Sequence, residues 1–104
     1  MARMYFSDFT DHCLKFYFRH SHPNFHSDVD RLDWQAAEST ISKVSDRDRR
    51  VLEAVYTGKE RFISENIKVV SRELGLSENV IYDLLDGVRK KLAIARGIYF
   101  DKLR

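Results

Sequence analysis

Cysteine, proline and glycine are scarce in this chain, whose 104 residues include one Cys, one Pro and four Gly. The single cysteine, Cys13, cannot form an internal disulfide, which argues against a disulfide-stapled scaffold and favours a reducing cytoplasm. So few turn-forming residues are untypical of a β-rich chain. No apolar run approaches the roughly 20 residues of a membrane span. The acidic Asp8 comes too early for a signal peptide.

The remaining composition is that of a folded globular protein, with 43% hydrophobic and 33% charged residues. The net charge is only +2, but it is unevenly distributed. Residues 58–104 hold ten Lys and Arg against seven Asp and Glu, whereas residues 1–57 hold eight against nine. A basic C-terminal half is compatible with phosphate contact. Lys and Arg also suit helix C-termini, so the charge alone leaves both interpretations open.

Apolar residues recur at helical spacing along the chain, which predicts an all-α domain of five helices with a C-terminal helix-turn-helix. Cap residues and breakers set the predicted ends. The predicted helices run from Phe6 to Arg19 with a cap at Ser7 or Asp8, from a cap at Ser27 or Asp28 to about Val44, from a cap at Ser45 to Thr57, from a cap at Ser64 to Leu74, and from Glu78 to about Ile98.

One face of each helix is predicted to be buried. The predicted inward residues of the first helix are Phe6, Phe9, Cys13, Phe16 and Tyr17, and those of the second are Val29, Leu32, Ala36 or Ala37, Ile41 and Val44. Those of the third helix are Val51, Leu52, Val55 and Tyr56, and those of the fourth are Ile67, Val70 and Leu74. Those of the fifth helix are Ile81, Leu84, Leu85, Val88, Leu92 and Ala95. Trp34 is predicted at the edge of its stripe, and Phe18 is predicted to project away. The surplus aromatic residues of the first helix favour a core element, with a homodimer surface as the alternative. Gly87 predicts a close packing contact or a local bend.

The stretch from Val69 to Ile81 carries the most information about function. Gly75 stands where the chain must reverse with a positive φ, and Ser77 can cap the following helix. Leu76 is expected to enter the angle between the two helices, and the small Ser71 allows them to cross closely. This pattern is typical of a helix-turn-helix, which places its second helix in the major groove of DNA. Ordinary helical hairpins use the same turn, so the motif alone leaves that alternative open.

From Leu32 to Leu92 the chain resembles the C-terminal promoter-reading domain of bacterial sigma factors and related small phage or mobile-element transcription regulators. The matching segments are 41–52, Tyr56, 69–81 and 88–92. The family commonly has Glu-Ile-Ala where this chain has Val69-Val70-Ser71. The resemblance implies a DNA-binding transcription regulator whose partners are double-stranded DNA and RNA polymerase. We expect one domain over residues 1–104, with an aromatic N-terminal helical pair over 1–45 and the sigma-like unit over 46–98.

The resemblance also implies which residues would contact DNA. The residues expected to face base edges are Glu78, Asn79, Tyr82 and Asp83. The residues expected to hold phosphates are Ser64, Lys68, Arg72, Ser77, Arg89 and Lys90, with Lys59 and Arg61 nearby. Residues 77–86 contain three acids and no Lys or Arg, unlike the reading helix of the family. The alternative is therefore a protein-interaction module of the same fold that binds RNA polymerase or another regulator without DNA contact.

Metal and catalytic motifs find little support. Five potential ligands cluster in the N-terminal part, but their spacing does not close a four-ligand zinc site. They are His12, Cys13, His20, His22 and His26. The chain contains no glycine-rich phosphate loop, nucleophile elbow or H-E-x-x-H motif. We therefore expect a cytoplasmic protein that is not an enzyme and needs no metal or cofactor.

Overall fold

A computed structural model describes residues 2–19, 25 and 27–97, with side chains described from residue 9 onward. These residues form five α-helices and no strand, which confirms the predicted fold class. The helices are α1 (Ala2–Arg19), α2 (Asp28–Ile41), α3 (Asp46–Tyr56), α4 (Ile63–Leu74) and α5 (Glu78–Ala95). Within this part of the chain, no helix combines the length and the hydropathy required to cross a bilayer.

Three helices start where the sequence places their caps. The hydroxyls of Ser27, Ser45 and Ser77 accept hydrogen bonds from backbone N–H groups three residues on, at 3.1–3.2 Å. Each bond satisfies an N–H that the helix leaves without a partner, which stabilises the start of the helix. The capping predictions for α2, α3 and α5 are therefore confirmed.

Two other predicted helix starts are wrong. α1 begins at Ala2, so residues 7 and 8 lie inside the helix and do not cap it. α4 begins at Ile63 after an extended Phe62, with no side-chain cap bond, and Ser64 is an exposed residue of its first turn. The α3–α4 connection is fixed by the buried Asn66 instead. Its amide donates to the Val55 carbonyl and accepts from the Glu60 N–H, both at 3.0 Å.

α5 forms the centre of the molecule, because it packs against each of the other four helices. Ile81, Leu85, Val88 and Leu92 form its buried stripe, as predicted. Leu84 is only half-buried, and Ala95 is exposed although it is predicted to face inward. α5 ends at Ala95, and the expected extension to Ile98 lies outside the described residues. The neighbourhood of Gly87 is open, so the predicted close packing contact is wrong, and α5 continues through this position as one helix.

α1 is a core element, which is the interpretation that the sequence favours. Thr10, Cys13, Leu14 and Tyr17 form its buried face, of which the sequence pattern had included only Cys13 and Tyr17. Phe18 does not project away as predicted, because its ring stacks on Tyr56 with centroids 6.2 Å apart. Phe9 and Trp34 pack at the edge of the same core, while the side chain of Phe6 lies outside the described residues.

α2 departs most from its predicted pattern. It ends at Ile41, three residues before the predicted end, and Val29 and Leu32 are 57% and 41% exposed although both are predicted inward. The acidic Asp33 is buried in their place. Its carboxylate accepts a 2.6 Å hydrogen bond from Nε of Arg96, just beyond the end of α5. A buried charge is tolerated when it is paired in this way, which explains why the buried face of α2 includes a carboxylate.

Candidate nucleic-acid interface

The turn between α4 and α5 is built by Ser71, Gly75 and Leu76. Gly75 adopts the left-handed conformation (φ 67°, ψ 31°), as the sequence predicts. The N–H groups of Gly75 and Leu76 both donate to the Ser71 carbonyl, and the Ser71 hydroxyl donates to the Leu76 carbonyl. The bond from Leu76 is the one that defines a Schellman C-cap. Backbone and side chain together therefore fix the direction in which α5 leaves the turn.

The underside of this hairpin is anchored in the core. Ile67 and Val70 of α4 and Ile81 and Leu85 of α5 are all buried, and Leu76 packs against them from the turn. Leu74 of α4 is predicted to face the core but is 49% exposed. With one face held, the opposite face of the first two turns of α5 is presented outward.

The residues expected to face base edges lie on this outward part of α5. Glu78, Asn79 and Asp83 are exposed, whereas Tyr82 is half-buried and packs against the core. Val80 is 49% exposed and was missed by sequence reasoning. The signal that could have found it is its spacing, because Val80 lies five residues before Leu85 and eight before Val88, off the i, i+4, i+7 and i+11 series that Ile81 forms with Leu85, Val88 and Leu92. The exposed surface of this segment therefore combines two acids, an amide and a branched apolar side chain.

Five of the six residues expected to hold phosphates are exposed. Ser64, Lys68 and Arg72 lie on α4, Ser77 lies in the turn, and Lys90 lies on α5. The Ser77 oxygen already accepts the capping bond from Val80, so only its O–H remains available to donate. The first half of α5 carries three acids and no Lys or Arg, so the exposed cations of this set lie on α4 and further along α5.

Arg89 is the sixth residue, and the structure corrects its expected role. Its side chain is only 10% exposed and forms a bidentate ion pair with Asp11 of α1. Nε donates to one carboxylate oxygen at 2.9 Å and Nη2 donates to the other at 3.0 Å. Nη1 also approaches Asp86 at 3.3 Å. A guanidinium occupied by protein carboxylates in this way is not available to a DNA phosphate, because position 89 faces α1.

Tyr56 completes this buried network, since its hydroxyl donates to Asp11 at 2.6 Å. Burial and the Asp11 carboxylate raise the pKa of Tyr56 well above its usual value, so the phenol stays protonated. Burial alone would lower the pKa of Arg89, but its hydrogen bonds to Asp11 raise it, so the guanidinium stays charged. The network joins α1, α3 and α5, and it sets the position of α5 relative to the N-terminal half.

A second group of basic residues lies near the start of α4 and was not foreseen as a group. Asp11, His12 and Lys15 of α1 line a cavity of about 340 Å³ together with Arg61, Phe62 and Ile63. The Arg61 guanidinium lies over the Phe62 ring, 5.3 Å from its centroid. No sequence signal links these residues, because α1 and the α3–α4 connection are some distance apart along the chain. Lys15 and Arg61 place two cations at this cavity beside the Asp11 carboxylate.

Metal binding gains no geometric support from the part of the chain that the structure describes. No group of three or more His, Cys, Asp or Glu residues is close enough there to hold an ion. Cys13 is fully buried, while His20, His22 and His26 lie outside the described residues. Compared with known proteins, the chain matches no family model, no curated protein and no solved structure.

Proposed function

We propose that this protein is a transcription regulator that binds double-stranded DNA through the α4–α5 helix-turn-helix, in the manner of the sigma-factor domain it resembles. The observation that carries the proposal is the Gly75 turn, which holds one face of α5 in the core and leaves Glu78, Asn79, Val80 and Asp83 exposed. An α-helix presented in this way fits the width of the major groove. A cytoplasmic location belongs to the same proposal.

Each exposed side chain of α5 has a role that its chemistry permits. The Asn79 amide can pair with adenine through two hydrogen bonds, and the carboxylates of Glu78 or Asp83 can accept from the cytosine amino group. Val80 can contact a thymine methyl group. Lys68, Arg72 and Lys90 would contact phosphates, with Ser64 and Ser77 donating hydroxyl hydrogen bonds. Arg89 acts in this proposal by positioning α5 through Asp11.

A salt titration tests DNA binding directly. Fluorescence anisotropy of a labelled random 20-base-pair duplex would give the dissociation constant at several potassium chloride concentrations. Binding that neutralises Z phosphates weakens with a log–log slope of about −0.9Z, because condensed counterions are released. With three phosphate-contacting cations we expect a slope near −3. Absence of measurable binding at low salt would reject the proposal.

Charge-removing variants test which residues hold phosphates. We expect Lys68→Gln, Arg72→Gln and Lys90→Gln each to reduce the magnitude of the salt slope by about one. Arg47→Gln is the matched control, because Arg47 is an exposed cation on α3 outside the proposed contact set. An equal reduction in the control would indicate a nonspecific effect of net charge.

Base readout by Asn79 requires a separate test. Duplexes selected from a random library with the unmodified protein would be compared with those selected by Asn79→Ala. Loss of the Asn79 amide should lower the binding free energy by about 1–3 kcal/mol and weaken the preference for adenine at one base pair of the site. Glu73→Ala serves as the control, since Glu73 is exposed on α4 outside the base-facing set. Identical selected sequences from all three proteins would remove Asn79 from the reading role.

A protein-interaction module is the second candidate, and one observation favours it. The exposed Leu74 and Val80, each 49% accessible, lie in the same hairpin as the carboxylates of Glu78 and Asp83. Exposed apolar side chains and carboxylates in one hairpin suit a basic protein surface better than a phosphate backbone. Binding to purified RNA polymerase that Val80→Lys abolishes, with no DNA binding at low salt, would favour this candidate.

A further inference from the structure

A groove between α2 and the C-terminal part of α5 is not used by the proposed function. Its volume is about 680 Å³. Leu32, Ala36 and Ser39 line one wall, and Lys91, Ile94 and Ala95 line the other. Lys91 and Ile94 follow Asn79 by 12 and 15 residues, which places the groove about 20 Å along α5 from the DNA-facing segment. A partner in the groove would therefore leave that segment free.

Large apolar side chains are exposed to solvent along this groove. Ile94 is 62% exposed and Leu32 is 41% exposed, although the spacing of Leu32 predicts burial. Val29, 57% exposed, lies one turn before Leu32 on the same face of α2 and extends the apolar surface. Contiguous exposed apolar side chains of this kind are typical of a binding groove.

The charge of the groove is of one sign. Lys43 lies at the α2 end and Lys91 on the α5 wall, and no carboxylate is among the described residues that line it. Arg96 also lines the groove, but its charge is paired with the buried Asp33 at 2.6 Å. This ion pair joins the two walls, so their separation is fixed before any partner binds. The two lysines are left as positive charges beside an apolar floor.

We propose that this groove binds an acidic amphipathic helix of a partner protein. The residues of α2 that line the groove run from Leu32 to Thr40, a rise of about 12 Å, and Lys43 lies just beyond the end of the helix, so the wall is long enough for two to three turns of a docked helix. Apolar side chains at i, i+3 or i+4, and i+7 of the partner would contact Leu32, Ala36 and Ile94. Its carboxylates would pair with Lys43 and Lys91. The ion pairs would then provide specificity for an acidic partner, and the apolar contacts would provide most of the affinity.

A designed peptide tests the proposal with the full-length chain. The probe is a labelled 15-residue peptide with leucines at i, i+3, i+4 and i+7 and glutamates at most other positions, and binding is followed by anisotropy. We expect Ile94→Glu, and separately the double variant Lys43→Glu with Lys91→Glu, to weaken binding about tenfold or more. Arg47→Glu, the control on α3, should change binding less than about twofold. Circular dichroism of each variant would verify that the helices are retained.

Several outcomes would overturn the proposal. They are absence of binding to the unmodified chain, equal binding of a peptide with lysines in place of the glutamates, and binding that Ile94→Glu leaves unchanged. Binding that appears only after Tyr99→Ser and Phe100→Ser would assign the groove to the last residues of the chain itself. A dimer in analytical ultracentrifugation that Ile94→Glu converts to monomer would assign it to a second copy.

Discussion

Arg89 shows how a single residue positions the proposed reading helix. The pair with Asp11 is mostly buried, with the two side chains 10% and 16% exposed. Removing one partner of such a pair leaves the other charge desolvated and uncompensated, which costs about 3 kcal/mol or more. We therefore expect Arg89→Leu to lower the free energy of unfolding by about 3 kcal/mol, measured by urea denaturation.

The neighbouring Lys90 gives the matched comparison. It is exposed, so Lys90→Leu should change the free energy of unfolding by no more than about 0.5 kcal/mol. For DNA binding, measured at equal concentrations of folded protein, we expect the larger effect from Lys90→Leu and the smaller one from Arg89→Leu. Lys90→Leu should reduce the salt slope, whereas the folded fraction of Arg89→Leu should keep it. A reduced slope for both would restore Arg89 to the phosphate-contacting set.

Cys13 should make the stability of the protein fall in alkaline solution. Burial, aided by the Asp33 carboxylate, raises the pKa of the Cys13 thiol to about 12 from its usual 9. The folded state therefore keeps a proton that the unfolded state loses as the pH rises above 9. This contribution to stability is complete below pH 9 and is lost between pH 9 and 12, by up to about 1.4 kcal/mol per pH unit.

Urea denaturation at pH 8.5 and pH 10 would measure this dependence. We expect Cys13→Ala to be less stable than the unmodified chain at both values because it leaves a cavity. Its stability should nevertheless change less between the two pH values, since no thiol remains to titrate. The same slope in both proteins would show that the thiol does not ionise differently in the folded state.

Residues whose partners are close in sequence could be predicted, and those with distant partners could not. Ser45 caps α3 through Asp48, three residues away, so a short window contains all the information. Arg89 meets Asp11, 78 residues away, and Arg96 meets Asp33, 63 residues away. Nothing in the local sequence separates these arginines from solvent-facing or phosphate-binding ones. The correction at Arg89 is therefore a consequence of tertiary packing.

At the scale of helices, Gly75 and Gly87 form a natural matched pair. Gly75 has a φ of 67°, a conformation that costs other residues about 1–2 kcal/mol, so Gly75→Ala should destabilise the protein by about that amount. Gly87 lies within α5, and an added Cβ would meet no described atom within 4 Å apart from its chain neighbours and the backbone of its own helix. Gly87→Ala should therefore stabilise the protein by about 0.5–1 kcal/mol, because alanine favours the helix.

Chemical denaturation of the two variants would reveal the opposite signs. A stabilising Gly75→Ala would show that the turn does not need a left-handed residue, and the helix-turn-helix geometry would lose its main support. A destabilising Gly87→Ala would indicate that the open surface of α5 is covered in solution.

Helical periodicity predicts each helix that the structure describes, but it assigns their buried faces less reliably. It found the buried stripes of α3 and α5, where apolar and polar residues segregate clearly. It failed on α2, where Val29 and Leu32 are exposed and Asp33 is buried, because charge pairing across helices overrides hydropathy there. It also missed how α4 begins, since Asn66 bonds back to the α3–α4 connection rather than capping its own helix. The same limit hid the apolar groove between α2 and α5.

Across the whole molecule, contacts join the aromatic N-terminal pair to the helix-turn-helix. α1 packs against α3 and α5 as well as α2, and the Asp11–Arg89–Tyr56 network lies where α1, α3 and α5 meet. These contacts cross the predicted division between residues 45 and 46. α5 is therefore supported from both halves, and we expect the described helices to unfold as one unit.

Two reporters would test this cooperativity in a urea titration. The ring centroids of Trp34 and Tyr17 are 5.3 Å apart, so Trp34 fluorescence reports on the packing of α1 against α2. Circular dichroism at 222 nm reports on all helices. We expect both signals to give one midpoint, as two-state unfolding requires.

Leu14→Ala in α1 and Ile67→Ala in α4 remove fully buried side chains and should each lower the free energy of unfolding by about 2–5 kcal/mol, moving both signals together. Ile94→Ala, at a 62% exposed position, should move neither by more than about 0.5 kcal/mol. If Leu14→Ala shifted the Trp34 transition alone, α1 and α2 would form a separable unit, and Asp11 would not hold the reading helix in place.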